Sequence, residues 1–193
     1  MRVGLYGGSF NPVHDGHVQV ARTALVRLGL DRILWLVTPG NPLKARQTAA
    51  DLEERMAAVR SAATGPSMIV SSLEAETGSA FSVDTIRILQ ARYPGVHFVW
   101  VMGADNLAGF HRWRGWPDII RRIPIAIVAR PGSILTGLSS PAARRFARAR
   151  LPASQAGLLA IRPPPAWIYL PMPLNPLSST AIRAGRSRGR VGV

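Results

Sequence analysis

His14 and His17 stand three residues apart within Gly7-Gly8-Ser9-Phe10-Asn11-Pro12-Val13-His14-Asp15-Gly16-His17. On the first turn of a helix that spacing lets two imidazoles share one face. The residues before them, Arg2-Val3-Gly4-Leu5-Tyr6, suit a first strand. After them, apolar Val18, Ala21, Leu25 and Leu28 recur at helical spacing. The histidines therefore fall where a strand turns into a helix. Free backbone N–H groups and the positive end of the helix dipole point there, which makes the junction a natural phosphate site. Gly7, Gly8 and Gly16 would let a ligand approach the backbone without a Cβ in the way. Two plainer readings stand beside this one. A Gly-Gly pair after a strand is often only a turn. His-x-x-His can be half of a metal site, although the chain has no Cys and the other histidines, His97 and His111, lie far off in sequence.

Other chemistry-bearing residues sit on loops after apolar runs. Arg32 to Val37 reads as a strand buried on both faces and leads into Thr38-Pro39-Gly40-Asn41-Pro42-Leu43-Lys44. Lys44 is the one lysine among 24 basic residues. At a strand end its ammonium can reach a phosphate as a mobile point charge, or it can be a solvated surface group. Val96 to Met102 reads as another buried strand and ends in Gly103-Ala104-Asp105-Asn106. A carboxylate there lies on the edge where open α/β sheets bind ligands. Phe110-His111-Arg112-Trp113-Arg114-Gly115-Trp116 is dense in rings and cations and could stack a flat ring and hold a phosphate. Trp113 or Trp116 could equally be a core anchor. Ser178-Ser179-Thr180-Ala181-Ile182-Arg183 puts hydroxyls at a helix start with an Arg one turn on, either an ordinary cap or a second anion site.

The elements that must position these groups alternate. Asp51 and Glu54 resemble a capping box for a helix running to about Ala63, with Leu52, Met56, Val59 and Ala63 inward. Met68 to Val70 is a short strand, and Gly78 to Phe81 reads as a loop. Ser82, a candidate N-cap, opens a helix to Tyr93, stopped by Pro94-Gly95. Ile123 to Ala129 is a further strand. Ser140 to Leu151 fits a helix with Ala143, Phe146, Ala147 and Leu151 inward and Arg144, Arg145, Arg148 and Arg150 in water. Trp167 to Leu170 suits a last strand. Strands alternating with amphipathic helices predict an α/β fold: a Rossmann-like, doubly wound, mostly parallel sheet with helices on both faces, in a single domain.

Composition narrows the class. A chain of 193 residues that is 47% hydrophobic is long enough for one domain with a real core. No apolar run reaches the length of a membrane span, and the start shows no signal-peptide pattern. With zero Cys, disulfides and thiolate metal sites are excluded, and a cytoplasmic protein without membrane attachment is the expectation. All 10 acidic residues lie at or before Asp118, while 12 of the 24 basic residues follow it. A basic C-terminal part can hold anionic ligands or touch nucleic acid nonspecifically. No nucleic-acid motif accompanies it, so specific nucleic-acid binding is not expected.

The first stretch resembles the Gly-x-Phe-x-Pro-x-His-x-Gly-His signature of the nucleotidyltransferase superfamily, and Ser178 to Arg183 resembles its Ser-Ser-Thr-x-Ile-Arg signature. Within that superfamily the chain is most similar to the bacterial nicotinate-nucleotide adenylyltransferase family, over most of residues 1–130 and 166–183. Pro39 to Lys44 looks like its proline-rich loop, Ser82 to Ile86 like its Thr/Ser-x-x-Thr-Leu helix start, and Gly103 to Leu107 with Trp113 like its Gly-x-Asp-Ser-Leu…Trp element. Asn11 departs from a common Asp, Phe81 from a common Tyr, and residues 131–165 find no match. The resemblance implies a nucleotidyltransferase domain over 1–186, followed by a basic tail over 187–193 that composition suggests is disordered. It implies adenylyl transfer from ATP to nicotinate mononucleotide, with nicotinamide mononucleotide or phosphopantetheine as alternative acceptors; a nucleic-acid-binding module, suggested by the basic C-terminal part, is the remote alternative. It further implies catalytic roles for His14, His17, Lys44 and Arg183. ATP would meet Gly7, Gly8, Ser9, Phe10, His14, Gly16, His17, Asp105, Ser178, Ser179, Thr180 and Arg183. Nicotinate mononucleotide would meet Ser9, Lys44, Ser82, Trp113 and Arg114. Mg²⁺ would arrive on the triphosphate, with no metal ligands on the protein. Oligomeric state is left open.

Overall fold

The computed structural model describes residues 1–39, 49–78, 81–129 and 137–171. Lys44, Ser178, Ser179, Thr180, Arg183 and the 187–193 tail lie outside the described residues.

Seven parallel strands form one sheet in the order β3-β2-β1-β4-β5-β7-β6. They are β1 (Arg2–Gly8), β2 (Arg32–Val37), β3 (Met68–Ser71), β4 (His97–Gly103), β5 (Ile125–Val128), β6 (Arg150–Leu151) and β7 (Trp167–Leu170). The apolar runs became the interior strands because helices cover both faces of the sheet, leaving no wet side to select polar residues. All four residues of β5 and all four of β7 are buried. Chain order runs outward from β1 to β3 and then returns to β4 on the other side of β1. The reversal between β1 and β4 is the topological switch point, where the connections leaving the two strands diverge and open a crevice.

The helices are α1 (Asp15–Arg27), α2 (Ala49–Ala62), α3 (Leu73–Glu76), α4 (Ser82–Arg92), α5 (Ala104–Gly109), α6 (Trp116–Arg122) and α7 (Pro141–Arg145). α4 and α6 lie side by side, and the Gln90 side-chain amide donates to the Arg122 carbonyl at 2.9 Å. The largest fully buried side chains include Trp35, Trp100, Tyr6 and Phe110, so the core is aromatic around β1, β2 and β4.

Three local expectations are corrected. Asp51 is not an N-cap: α2 begins at Ala49, because two alanines, the best helix formers, extend it upstream. Asp51 instead sits in the first turn, where its charge suits the dipole. Ser82 is not an N-cap either. Phe81, in extended conformation, takes that position, and its carbonyl accepts from the N–H groups of Asp84 and Thr85.

The third correction concerns the segment from Ser140 to Leu151. Ser140 does cap a helix, its side chain accepting from Ala143 N–H, but the helix stops at Arg145. The Phe146 carbonyl, which a longer helix would have used, accepts the Trp167 indole N–H at 2.8 Å. Arg150 and Leu151 then pair with β7 as an edge strand. Ala147 is therefore exposed and Ala142 takes an inward position instead. Arg144, Arg145, Arg148 and Arg150 are exposed, as expected.

Candidate active site

The loop from Ser9 to His14 leaves the C-terminal end of β1 and enters α1, of which His14 is the N-cap. The expected strand-to-helix junction is therefore present, with the start of α1 following the end of β1. His14 and His17 are both nearly buried, their ring centroids 3.9 Å apart. The backbone N–H of His14 donates to Nδ1 of His17 at 3.3 Å. In the neutral ring this leaves the proton on Nε2, so His17 presents a donor at its far nitrogen. The ring is fixed from the side by Phe10, edge-on at 5.1 Å, and Phe10 itself packs against Tyr6 and Trp35. To seat there Phe10 adopts φ 45°, a left-handed conformation uncommon outside glycine. The sharp turn after β1 thus drives an aromatic side chain inward and leaves the polar groups of the loop at the strand end.

Packing alone already requires glycine at positions 7 and 8. A Cβ on Gly7 would lie 2.9 Å from Cη2 of Trp100, and one on Gly8 would lie 3.0 Å from Cζ of Phe10. The space beside both glycines is filled by core rings.

A second group of predicted residues comes together further along the same edge. Ser82 opens α4, and Trp113 and Arg114 precede α6. The Arg114 guanidinium lies 4.5 Å from the centre of the Phe81 ring, next to Ser82. Gly115, at φ 64°, passes so close to Val83 that a Cβ would lie 3.2 Å from its Cγ1. Trp113 is half-buried, edge-on to Trp100 at 6.2 Å and to Phe110 at 5.4 Å. Trp100 therefore links the two groups, touching Gly7 on one side and Trp113 on the other. Of the two tryptophans left open, Trp116 is the anchor between helices: it packs on Phe110 and Phe146 beneath the Arg145 guanidinium. Asp105 is exposed in the first turn of α5, directly after β4 and across the switch point from the histidine loop.

Two buried charged residues escaped the sequence. Arg55 of α2 is only 5% exposed. Its Nη1 donates to the carbonyls of Ser9 and Thr38, each at 2.8 Å, its Nη2 to Pro39 at 3.4 Å and its Nε to Asp51 at 3.0 Å. Burial lowers its pKa, and the charge of Asp51 opposes that shift. The available signal was spacing: Arg55 sits between Leu52 and Met56 on the apolar stripe of its helix. Glu74 of α3 is 3% exposed and accepts from the Thr85 hydroxyl of α4 at 3.2 Å. Burial pushes its carboxyl up to about 7, against the lowering effect of the Thr85 bond.

Fold and site together define a Rossmann-like protein with a glycine- and histidine-bearing strand-to-helix loop at its switch point. A cytidylyltransferase-like family model matches residues 5–185. A relative from Caulobacter sp. (strain K31), described as a "probable nicotinate-nucleotide adenylyltransferase", is 57% identical over 189 residues, spanning 98% of this chain and 100% of the relative. One from Rhizobium meliloti (strain 1021), with the same description, is 52% identical over 187 residues, spanning 97% of this chain and 100% of its own. The Plasmodium falciparum nicotinic acid mononucleotide adenylyltransferase complexed with NaAD shares the fold, with a TM-score of 0.70 at 13% identity over 95% of this chain and 82% of that one. The chain belongs to the cytidylyltransferase-like family and, within it, to the nicotinate-nucleotide adenylyltransferases.

Proposed function

We propose that the chain transfers the adenylyl group of ATP to nicotinate mononucleotide, giving nicotinate adenine dinucleotide and pyrophosphate. The observation that carries this is the end-to-end identity above 50% to relatives described as probable nicotinate-nucleotide adenylyltransferases. The site is chemically suited to it. An oxygen of the acceptor's phosphate attacks the α-phosphorus of ATP in line. A new P–O bond forms, the bond from the α-phosphorus to the bridging oxygen breaks, and pyrophosphate leaves with that electron pair. No protein nucleophile takes part, so the protein's contribution is positioning and stabilisation of charge.

In this scheme the N–H groups at the start of α1 and the ring of His14 receive the triphosphate. The His17 Nε2–H stabilises charge developing at the α-phosphate. Gly7 to Phe10 and Gly16 shape the loop, and Asp105 seats the adenosine side. Lys44, Ser178, Ser179, Thr180 and Arg183 supply further phosphate contacts, on the strength of the motifs alone. Trp113 stacks on the pyridine ring, and backbone N–H groups near Ser82 and Arg114 receive its carboxylate. Backbone N–H donors receiving a carboxylate at that end would favour the acid mononucleotide over the amide. N–H donors fit phosphate oxygens and not a cation, so Mg²⁺ enters with ATP, held by phosphate and water. Among the described residues no group of three or more His, Asp or Glu gathers for a metal. None of the described helices is long and apolar enough to cross a membrane, and the cytoplasm is the compartment proposed for the reaction. Pyrophosphate release measured with each acceptor in turn tests the assignment.

A further inference from the structure

Arg55 is a cation buried among main-chain carbonyls, three of which lie just past the ends of two neighbouring strands. Ser9 opens the loop that leads to His14 and His17, while Thr38 and Pro39 directly follow the end of β2. The two segments leave neighbouring strands, because β1 and β2 pair along their length with Gly8 opposite Val37. Beyond those strand ends the sheet no longer fixes their spacing, and the Thr38 N–H bond to the Gly8 carbonyl at 3.0 Å is the last rung. The planar fork of a guanidinium continues the connection past that rung, since it can serve several fixed acceptors at once. Its own helix holds the fork still, through the Nε bond to the Asp51 carbonyl one turn back. Carbonyls satisfy the N–H groups without carrying a countercharge, and with Asp51 balancing it in part the guanidinium remains a buried cation behind the histidine loop.

We propose that Arg55 is a positioning residue for adenylyl transfer, setting the histidine loop in register with the chain that leaves β2 at Thr38 and Pro39 and holding a buried cation beneath them. The proposal rests on the adenylyl-transfer reading above. It adds a residue that touches no substrate and acts through the Ser9, Thr38 and Pro39 carbonyls.

The test compares R55K with V59A in the full chain. Val59 is fully buried on the same helix. Its truncation weakens the packing of α2 by about 1–3 kcal/mol without touching either loop. Both variants and the unmutated protein are assayed for pyrophosphate release with ATP and nicotinate mononucleotide, well below the lowest unfolding midpoint. Amide hydrogen exchange is read in peptides covering residues 6–14 and 36–39. An ammonium is a point donor and cannot span all three carbonyls. R55K is therefore expected to exchange faster in both peptides and to lose kcat by about tenfold or more, as expected of a small misplacement of catalytic groups. V59A is expected to keep kcat within about twofold and to leave both peptides unchanged. Unchanged kcat in R55K, or an equal loss of kcat in V59A, overturns the proposal. Absence of nicotinate mononucleotide activity in the unmutated protein would instead overturn the functional reading, and the exchange data would still report whether Arg55 holds the loops.

Discussion

The backbone N–H of His14 is bonded to Nδ1 of His17, so the N-cap of α1 fixes the tautomer of the residue three positions on. A helix-capping interaction and the orientation of the His17 ring are here one contact. The Phe10 ring closes the other side of His17, edge-on at 5.1 Å. The imidazole is thereby pre-set before any nucleotide arrives, which is what stabilisation of developing charge requires.

His17→Ala removes the Nε2–H donor while leaving the strand and most of the helix intact. kcat is expected to fall on the order of 10²-fold or more, with far-UV circular dichroism unchanged. Steady-state pyrophosphate release checks this, and near-normal turnover would contradict the role.

Trp113→Ala removes a half-buried ring from the wall shared with Trp100 and Phe110. If that ring stacks on the pyridine, KM for nicotinate mononucleotide rises by about tenfold while KM for ATP stays near its original value, consistent with the ~1 kcal/mol scale of aromatic contacts. A rise in KM for ATP alone would place Trp113 on the wrong substrate.

Gly7→Ala forces a Cβ against the Trp100 ring at 2.9 Å. Overpacking of this kind is expected to destabilise the fold by about 1–3 kcal/mol. Urea unfolding measures the loss, and a variant as stable as the original would show that the ring has room to move.

Glu74 gives stability a pH dependence of defined sign. Its folded pKa is raised from 4.5 to about 7, so the folded state holds the proton more tightly than the unfolded chain. Stability from this group is full below about pH 4.5, declines as the pH rises toward 7 and is flat above that. The decline is on the order of 3 kcal/mol, at 1.36 kcal/mol per pKa unit. Glu74→Gln is expected to remove that slope and to be more stable than the original chain at pH 8. Equal slopes in chemical denaturation at pH 5, 6, 7 and 8 would contradict the assignment.

Hydrophobic period and glycine punctuation made much of the fold legible in the sequence. Continuous apolar runs identify β2, β4 and β7, and the glycine-histidine stretch marks the switch-point loop. Local pattern misplaced the caps. Asp51 and Ser82 are good cap residues, but Ala49 extends one helix and the Phe81 carbonyl starts the other. Pairing across the sheet was also invisible: Arg150 and Leu151 are helical by composition and became a strand because β7 offered an edge and Trp167 took the Phe146 carbonyl. Buried charge was the largest omission. Arg55 and Glu74 carry no motif, and their meaning comes from carbonyls and a hydroxyl supplied by other elements. The Arg114–Phe81 stack, which joins two predicted sites some thirty residues apart in sequence, is likewise a product of α4 packing beside α6.

The central claim is tested most directly by pyrophosphate release from MgATP with nicotinate mononucleotide, nicotinamide mononucleotide and phosphopantetheine compared at equal concentration. The highest kcat/KM is predicted for nicotinate mononucleotide, with nicotinate adenine dinucleotide recovered in equal amount to the pyrophosphate. Preference for phosphopantetheine or for the amide, or no adenylyl transfer to any of the three, would contradict it.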